Sequence, residues 1–309
     1  MTSKAKSVPS RLLHMETSHP AVLETVRRIV TGENDVAYAS VRDFDSCEYQ
    51  IRVTEDATAI VISIHHHVPA AFFAKNCAAE LASILEGDFG KALLAEADEG
   101  CAASIAVPLP EDDPTTVVEN PLLAKAAALR TSCLAALFVR AVAAHTAKKS
   151  FALRVPYRAG ESLYLHTTAT GVMMATVSIV VPDRADRLLL RTFLIEMAEA
   201  KKLGKCKTGP SMSFTLGTAT EFPQGLAAGE PADENTFWVN FGLSQRSMSS
   251  EADTRRAAEF IINFRAYVLY HMQCARSVMH GRMRERVKTS LTVLNRAKTS
   301  TTGKPRISM

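Results

Sequence analysis

The sequence predicts an α+β protein in two halves, closed by one very long C-terminal helix. Three observations predict it. Short apolar runs recur in the order β-β-β-α-β followed by a helix, once in each half, with one extra strand in the second. Consecutive runs are joined by turns too short for a crossover, which excludes a doubly wound parallel sheet and leaves antiparallel sheets. Residues 250–298 contain no proline and a single glycine, Gly281, so nothing interrupts a helix there.

Taken in order, Leu12, Leu13, Met15, Val22, Leu23, Val26, Ile29 and Val30 predict a first helix over 12–30, with Ser18 or His19 near its start before Pro20. Three strands follow at 36–44, 47–53 and 57–65, the first two joined at Asp45-Ser46. Pro69 opens a helix through Phe72, Phe73, Cys77, Leu81 and Ile84, expected to stop before Gly87. A strand over 102–109 ends at Pro110. Beyond the acidic loop 111–114, an alanine-rich helix is expected over 120–146, where Ala124, Ala127, Ala128, Ala135 and Ala136 allow close approach of a neighbour.

The second half reads as strands at 151–157, 162–167 and 172–181, a helix from Pro182-Asp183 through Met197, and strands at 211–216 and 236–242 around a polar loop at 225–234. A division at residue 148 is expected, giving modules 1–148 and 149–309. This is a repeat of element order, not of residues.

The last helix opens on Ser250 and Asp253, which have the spacing of a capping box. Behind it Ile261, Phe264, Val268, Met272, Ala275, Met279, Met283, Val287, Leu291 and Leu294 recur in steps of three and four, a helical stripe. At 1.5 Å per residue the helix is roughly 70 Å long, about twice the width of an ordinary domain, so it must reach a second domain or a partner. Its other face is basic, with Arg265, Arg276, Arg282, Arg284, Arg286, Lys288, Arg296 and Lys298. Residues 251–309 hold 12 Lys+Arg against 4 Asp+Glu, a net +8; the whole chain is +4, which leaves −4 on residues 1–250. A concentrated positive face attracts acidic or polyanionic surfaces.

Composition narrows the class further. At 309 residues and 47% hydrophobic content, the chain holds about two domains and ample core. Its six scattered cysteines, without a C-x-x-C pair or an apolar leader at Met1–Arg11, read as reduced, buried thiols of a cytosolic protein. The most apolar long stretch, 122–145, is broken by Lys125, Arg130 and Arg140, so no membrane insertion is expected.

At this point the residues carry a resemblance. Phe264-Arg265, Tyr267, Tyr270-His271, Cys274, His280, Arg282-Met283-Arg284 and Val293-Leu294-Asn295-Arg296-Ala297, closed by Thr302-Gly303-Lys304, resemble the C-terminal signature of subunit 2 of the actin-related protein 2/3 complex. Asp43-Phe44-Asp45 followed by Tyr49 is similar to that family's first hairpin. Gly281 departs from the pattern, which carries a better helix former there, at a cost of roughly 1 kcal/mol of helix propensity.

The resemblance implies two tandem modules, each an antiparallel sheet with a long helix on one face. It also implies a non-catalytic scaffold of the actin-branching complex in the cytoplasmic actin cytoskeleton. The expected partners are the complex's fourth subunit, paired through long helices, the two actin-related proteins, the remaining small subunits and the side of an actin filament. On that reading Arg282, Arg284, Arg286, Lys288, Arg296 and Lys298 are candidates to face the filament. The stripe Ile261, Phe264, Val268, Met272, Met279, Met283, Val287, Leu291 and Leu294 is the expected subunit interface.

Other constellations are weaker. His65 and His67 share a strand face but have no third ligand near in sequence, so no metal is expected. Residues 204–209 resemble a phosphate loop in composition and fail its spacing; with Lys201, Lys202, Lys205 and Lys207 they form a basic helix end and a secondary contact patch. No nucleophile elbow and no carboxylate pair with a companion base is present, so neither an active site nor a cofactor is expected. The alternative is an α+β protein that lays the basic helix along nucleic acid. Against it stand an aromatic content of 6% and strands without aromatic-basic interleaving, so no nucleic acid is expected.

Overall fold

The computed structural model describes residues 15, 17–33, 37–43, 45–204, 209–217 and 233–297, with side chains to 293. The first half runs α1 (Pro20–Val30), β1 (Tyr38–Arg42), β2 (Glu48–Val53), β3 (Ala59–His65), α2 (Ala70–Phe89), β4 (Ala103–Pro108), α3 (Pro121–Ala127) and α4 (Leu129–Thr146). The second runs β5 (Ala152–Arg158), β6 (Glu161–Thr167), β7 (Met173–Val180), α5 (Arg184–Lys202), β8 (Ser211–Leu216), β9 (Thr236–Gly242) and α6 (Glu251–Ala297). Both sheets are antiparallel throughout, in the orders β1-β2-β3-β4 and β5-β6-β7-β9-β8.

Alternation decides which face of each sheet meets the helices. In the first sheet Ile51 pairs with Ile62, and Ile62 with Ile105, a cross-strand row buried to 0% exposure. In the second, Phe237, Val239 and Phe241 alternate inward, and Phe241 meets Phe264 of α6 edge-on at 5.0 Å. The buried apolar residues of both sheets form one continuous cluster, with α4 and α6 packed together in it.

Two helices differ from expectation. The alanine-rich segment is not one helix but two, α3 and α4, bent by 67° at Ala128. The break is satisfied from outside the segment. Tyr49 Oη donates to the Ala127 carbonyl at 3.2 Å and accepts the Arg130 amide at 3.3 Å, while the His19 amide donates to the same carbonyl at 2.9 Å. A buried phenol on β2 thus supplies the hydrogen bonds that a continuous helix would have made itself. The second difference is α2, which passes Gly87 and ends at Gly90, where φ is +51°. A Cβ at Gly87 would meet nothing within 4 Å, so that glycine costs propensity without forcing a stop. At the start of the chain the described helix begins at Pro20, and residues 12–14 lie outside the described residues.

Of the predicted capping box, the serine cap is present and the acid closes on the serine hydroxyl. Ser250 Oγ accepts the Asp253 amide at 3.1 Å and donates to Asp253 Oδ2 at 2.7 Å. Among the described residues no single helix is long and apolar enough to cross a membrane.

Where the halves meet, charge is buried. Asp43 and Asp45 on the β1–β2 turn, Arg130 on α4, Glu161 on β6 and Arg265 on α6 all lie below 10% side-chain exposure. Arg130 Nε lies 3.1 Å from Asp43 Oδ2, and its Nη1 pairs with Asp45 Oδ2. Arg265 Nη1 lies 2.9 Å from Asp45 Oδ1 and its Nη2 donates to Glu161 Oε1 at 3.2 Å. Arg265, expected on the basic face of the last helix, is therefore an interior residue.

Candidate functional site: the projecting half of the last helix

The last helix divides into two parts. Up to Met272 it is a core helix: Ile261, Phe264, Val268 and Met272 are 1%, 0%, 0% and 7% exposed. Those four, expected at a subunit interface, instead pack inside this chain, because α4 and the second sheet already cover that face. From Gln273 to Val293 every residue is exposed except the half-buried Gly281. The helix remains unbroken to Ala297, so this part projects roughly 37 Å beyond the body at 1.5 Å per residue. Gly281 introduces no interruption, and a Cβ there would meet nothing within 4 Å.

The apolar stripe does not stop at the body. Met279, Met283, Val287 and Leu291 are 49%, 61%, 58% and 53% exposed. At 100° per residue each step of four advances the row by about 40°, so these side chains continue the line of the core residues and wrap slowly around the helix. Met283, Val287 and Leu291, with His280, Arg284, Lys288 and Thr292, line a shallow groove along it. A row of four large apolar side chains facing water has no role within this chain. It is suited to a partner helix or sheet.

The basic residues flank that row. Arg282 and Arg286 lie one turn apart on one side, Arg284 and Lys288 one turn apart on the other. All four are exposed, and among the described residues no side chain pairs with them. Arg276, grouped with them by sequence, is engaged instead: its Nη1 lies 2.9 Å from Asp186 Oδ2 in the first turn of α5 and ties the helix to the body where it begins to project. The side chains of Leu294 and Arg296, and all of Lys298, lie outside the described residues.

The secondary patch divides in the same way. Lys201 Nζ donates to the Pro210 carbonyl at 2.8 Å and sits 4.9 Å over the Phe260 ring, which makes it an internal fastening. Lys202 is exposed, and Lys205 and Lys207 lie outside the described residues. In the histidine run, His65 and His67 are exposed. His66 is buried with Nδ1 3.4 Å from the Cys47 thiol, and burial pushes its pKa down to about 3. No group of three or more His, Cys, Asp or Glu able to hold a metal occurs among the described residues. Cys47, Cys77, Cys101 and Cys133 are buried free thiols as expected, whereas Cys274 is exposed on the projecting helix.

Sequence reasoning missed Asp45, Arg130 and Glu161, because a buried charge is indistinguishable in sequence from a solvated one. The spacing of Asp43 and Asp45 on a tight turn was the available signal.

Comparison with known proteins places this architecture. Residues 62–301 match the family described as "Arp2/3 complex, 34 kD subunit p34-Arc". The chain is 25% identical to actin-related protein 2/3 complex subunit 2 of Dictyostelium discoideum, with 90% of this chain and 93% of that protein covered. It is 24% identical to subunit 2 of Schizosaccharomyces pombe, covering 93% and 94%. It is 28% identical to subunit 2A of Arabidopsis thaliana over 58% of this chain and 57% of that one. With more than half of its length matched, the chain belongs to the Arp2/3 complex 34 kD subunit (p34-Arc) family.

Proposed function

We propose that this chain is a non-catalytic scaffold subunit of the actin-nucleating complex, acting in the cytoplasmic actin cytoskeleton, and that its projecting helix is the element that assembles it. The observation that carries this reading is the exposed row Met279, Met283, Val287 and Leu291 on a helix held clear of the body. Burying that row against a long helix of the fourth subunit removes four large apolar side chains from water, at ~25 cal/mol per Å². Obligate interfaces are apolar in this way. The actin-related proteins and the smaller subunits then gather on the resulting pair. The two sheets serve as modules 1–148 and 149–309, joined through the α4–α6 contact.

The flanking cations serve a second surface. The side of an actin filament is acidic, and Arg282, Arg284, Arg286 and Lys288 are exposed cations without an internal partner among the described residues. Exposed charges contribute on-rate and orientation more than affinity. Only one flank can meet the filament while the apolar row is covered, and Arg282 with Arg286 are the pair assigned to it. Reversing both, Arg282→Glu with Arg286→Glu, is expected to leave the complex assembled. It should weaken filament co-sedimentation about tenfold at low salt, with less effect as salt rises. Loss of assembly instead would place these arginines at a subunit contact.

A further inference from the structure

A scaffold is defined by the angle at which it holds its parts, and apolar packing alone specifies angles poorly. The cluster between the two halves has the opposite character. It joins four elements, the β1–β2 turn, α4, β6 and α6, through directional ion pairs below 10% exposure. Asp45 is its node. One carboxylate oxygen takes Arg130 of α4, the other takes Arg265 of α6 at 2.9 Å, and Arg265 passes on to Glu161 of the second sheet. Asn263, two residues before Arg265 on α6, accepts from Arg130 Nη2 at 2.6 Å and closes the ring.

We propose that Asp45 is the pivot of an ionic latch that sets the tilt of α6 against the first sheet, and so the direction in which the projecting helix is presented. The inference rests on the scaffold reading for its purpose, but its test does not. Buried ion pairs contribute little net stability compared with apolar packing of the same volume, and their best-attested use is to select one arrangement among several. The latch has the features of such a selector. Arg265 is shared between carboxylates on two different elements, and Asp45 between arginines on two different helices, so a shift of α6 or of the β1–β2 turn breaks more than one bond.

Asp43, Asp45 and Glu161 face Arg130 and Arg265, with the half-exposed Arg158 3.5 Å from Glu161 at the rim and neutral Tyr49, Tyr157, Cys47 and His66 around them. Of the three carboxylates Asp43 is the expendable one. It contacts Arg130 alone, while its Oδ1 accepts the amides of Asp45 and Cys47, a role an asparagine oxygen also fills. Burial raises the Asp43 pKa, in keeping with a group inclined to go neutral.

The test is a distance distribution by double electron–electron resonance on the full chain. One spin label goes on exposed Cys274 and one on Glu55→Cys in the exposed β2–β3 turn, with Cys206→Ser so that residue 206 takes no label. Asp45→Asn, and the charge-conserving Asp45→Glu, are each expected to broaden or displace the distribution by about twofold in width, while Asp43→Asn keeps the native one. If Asp45→Asn does not fold, Asp45→Glu decides. A native distribution in Asp45→Glu, or equal broadening in Asp43→Asn, overturns the proposal.

Discussion

His66 is held neutral by its surroundings. It is 4% exposed, between the Cys47 thiol at 3.4 Å and the Phe73 ring at 5.2 Å. Burial first, then the charge of Arg130, lowers its pKa from 6.5 to about 3. The unfolded chain therefore takes up a proton near pH 6.5 that the folded chain refuses until about pH 3. Stability from this residue is complete above pH 6.5 and falls across that window by about 1.4 kcal/mol per pH unit. Urea midpoints at pH 7 and pH 5 should separate in the native chain and draw together in His66→Gln; an equal separation in both would assign the acid sensitivity to other groups. The run His65-His66-His67 shows how much of this was legible. Alternation along a strand already sets His66 on the face opposite its neighbours, but only the fold shows that this face is the core. Arg265 is the converse case: its place among basic residues suggested solvent, and its carboxylate partners come from residues 45 and 161, which no local pattern connects to it.

For α6 the period of the stripe and the capping box were readable, because both are local. What could not be read was where the body ends. Val268 and Val287 occupy the same stripe, yet one is 0% and the other 58% exposed, since burial is decided by α4 and the second sheet and not by periodicity. The α3–α4 break was hidden for a related reason: it depends on the Tyr49 phenol, some 80 residues away in sequence. Gly281 offers a test of how the projecting part is held. The helix passes through it unbroken, and a Cβ would meet no atom, so Gly281→Ala should raise the helicity of this segment and stabilise it by up to ~1 kcal/mol. Circular dichroism of the full chain measures this, and a loss of helix or of assembly would show that the position serves by bending or by close approach of a partner.

As a whole, the chain spends its hydrophobic residues in two places: one core shared by both sheets, and one exposed row on a helix that leaves the body. The first makes a fold and the second makes a subunit. The measurement that separates them is native pull-down on a tag at Met1, with mass identification of the co-purifying chains, for the native sequence and for Met283→Asp with Val287→Asp. Both substituted side chains are more than half exposed, so the variant should fold, whereas an aspartate at buried Val268 would destabilise the chain by ~3 kcal/mol or more and serves as the misfolding control. The native chain is expected to bring down two actin-related proteins and several small subunits in equal amounts, and the variant to be recovered folded and alone. Recovery of the full complex on the variant would contradict the assignment of this row to assembly, and a native chain that purifies as a monomer would contradict the scaffold itself.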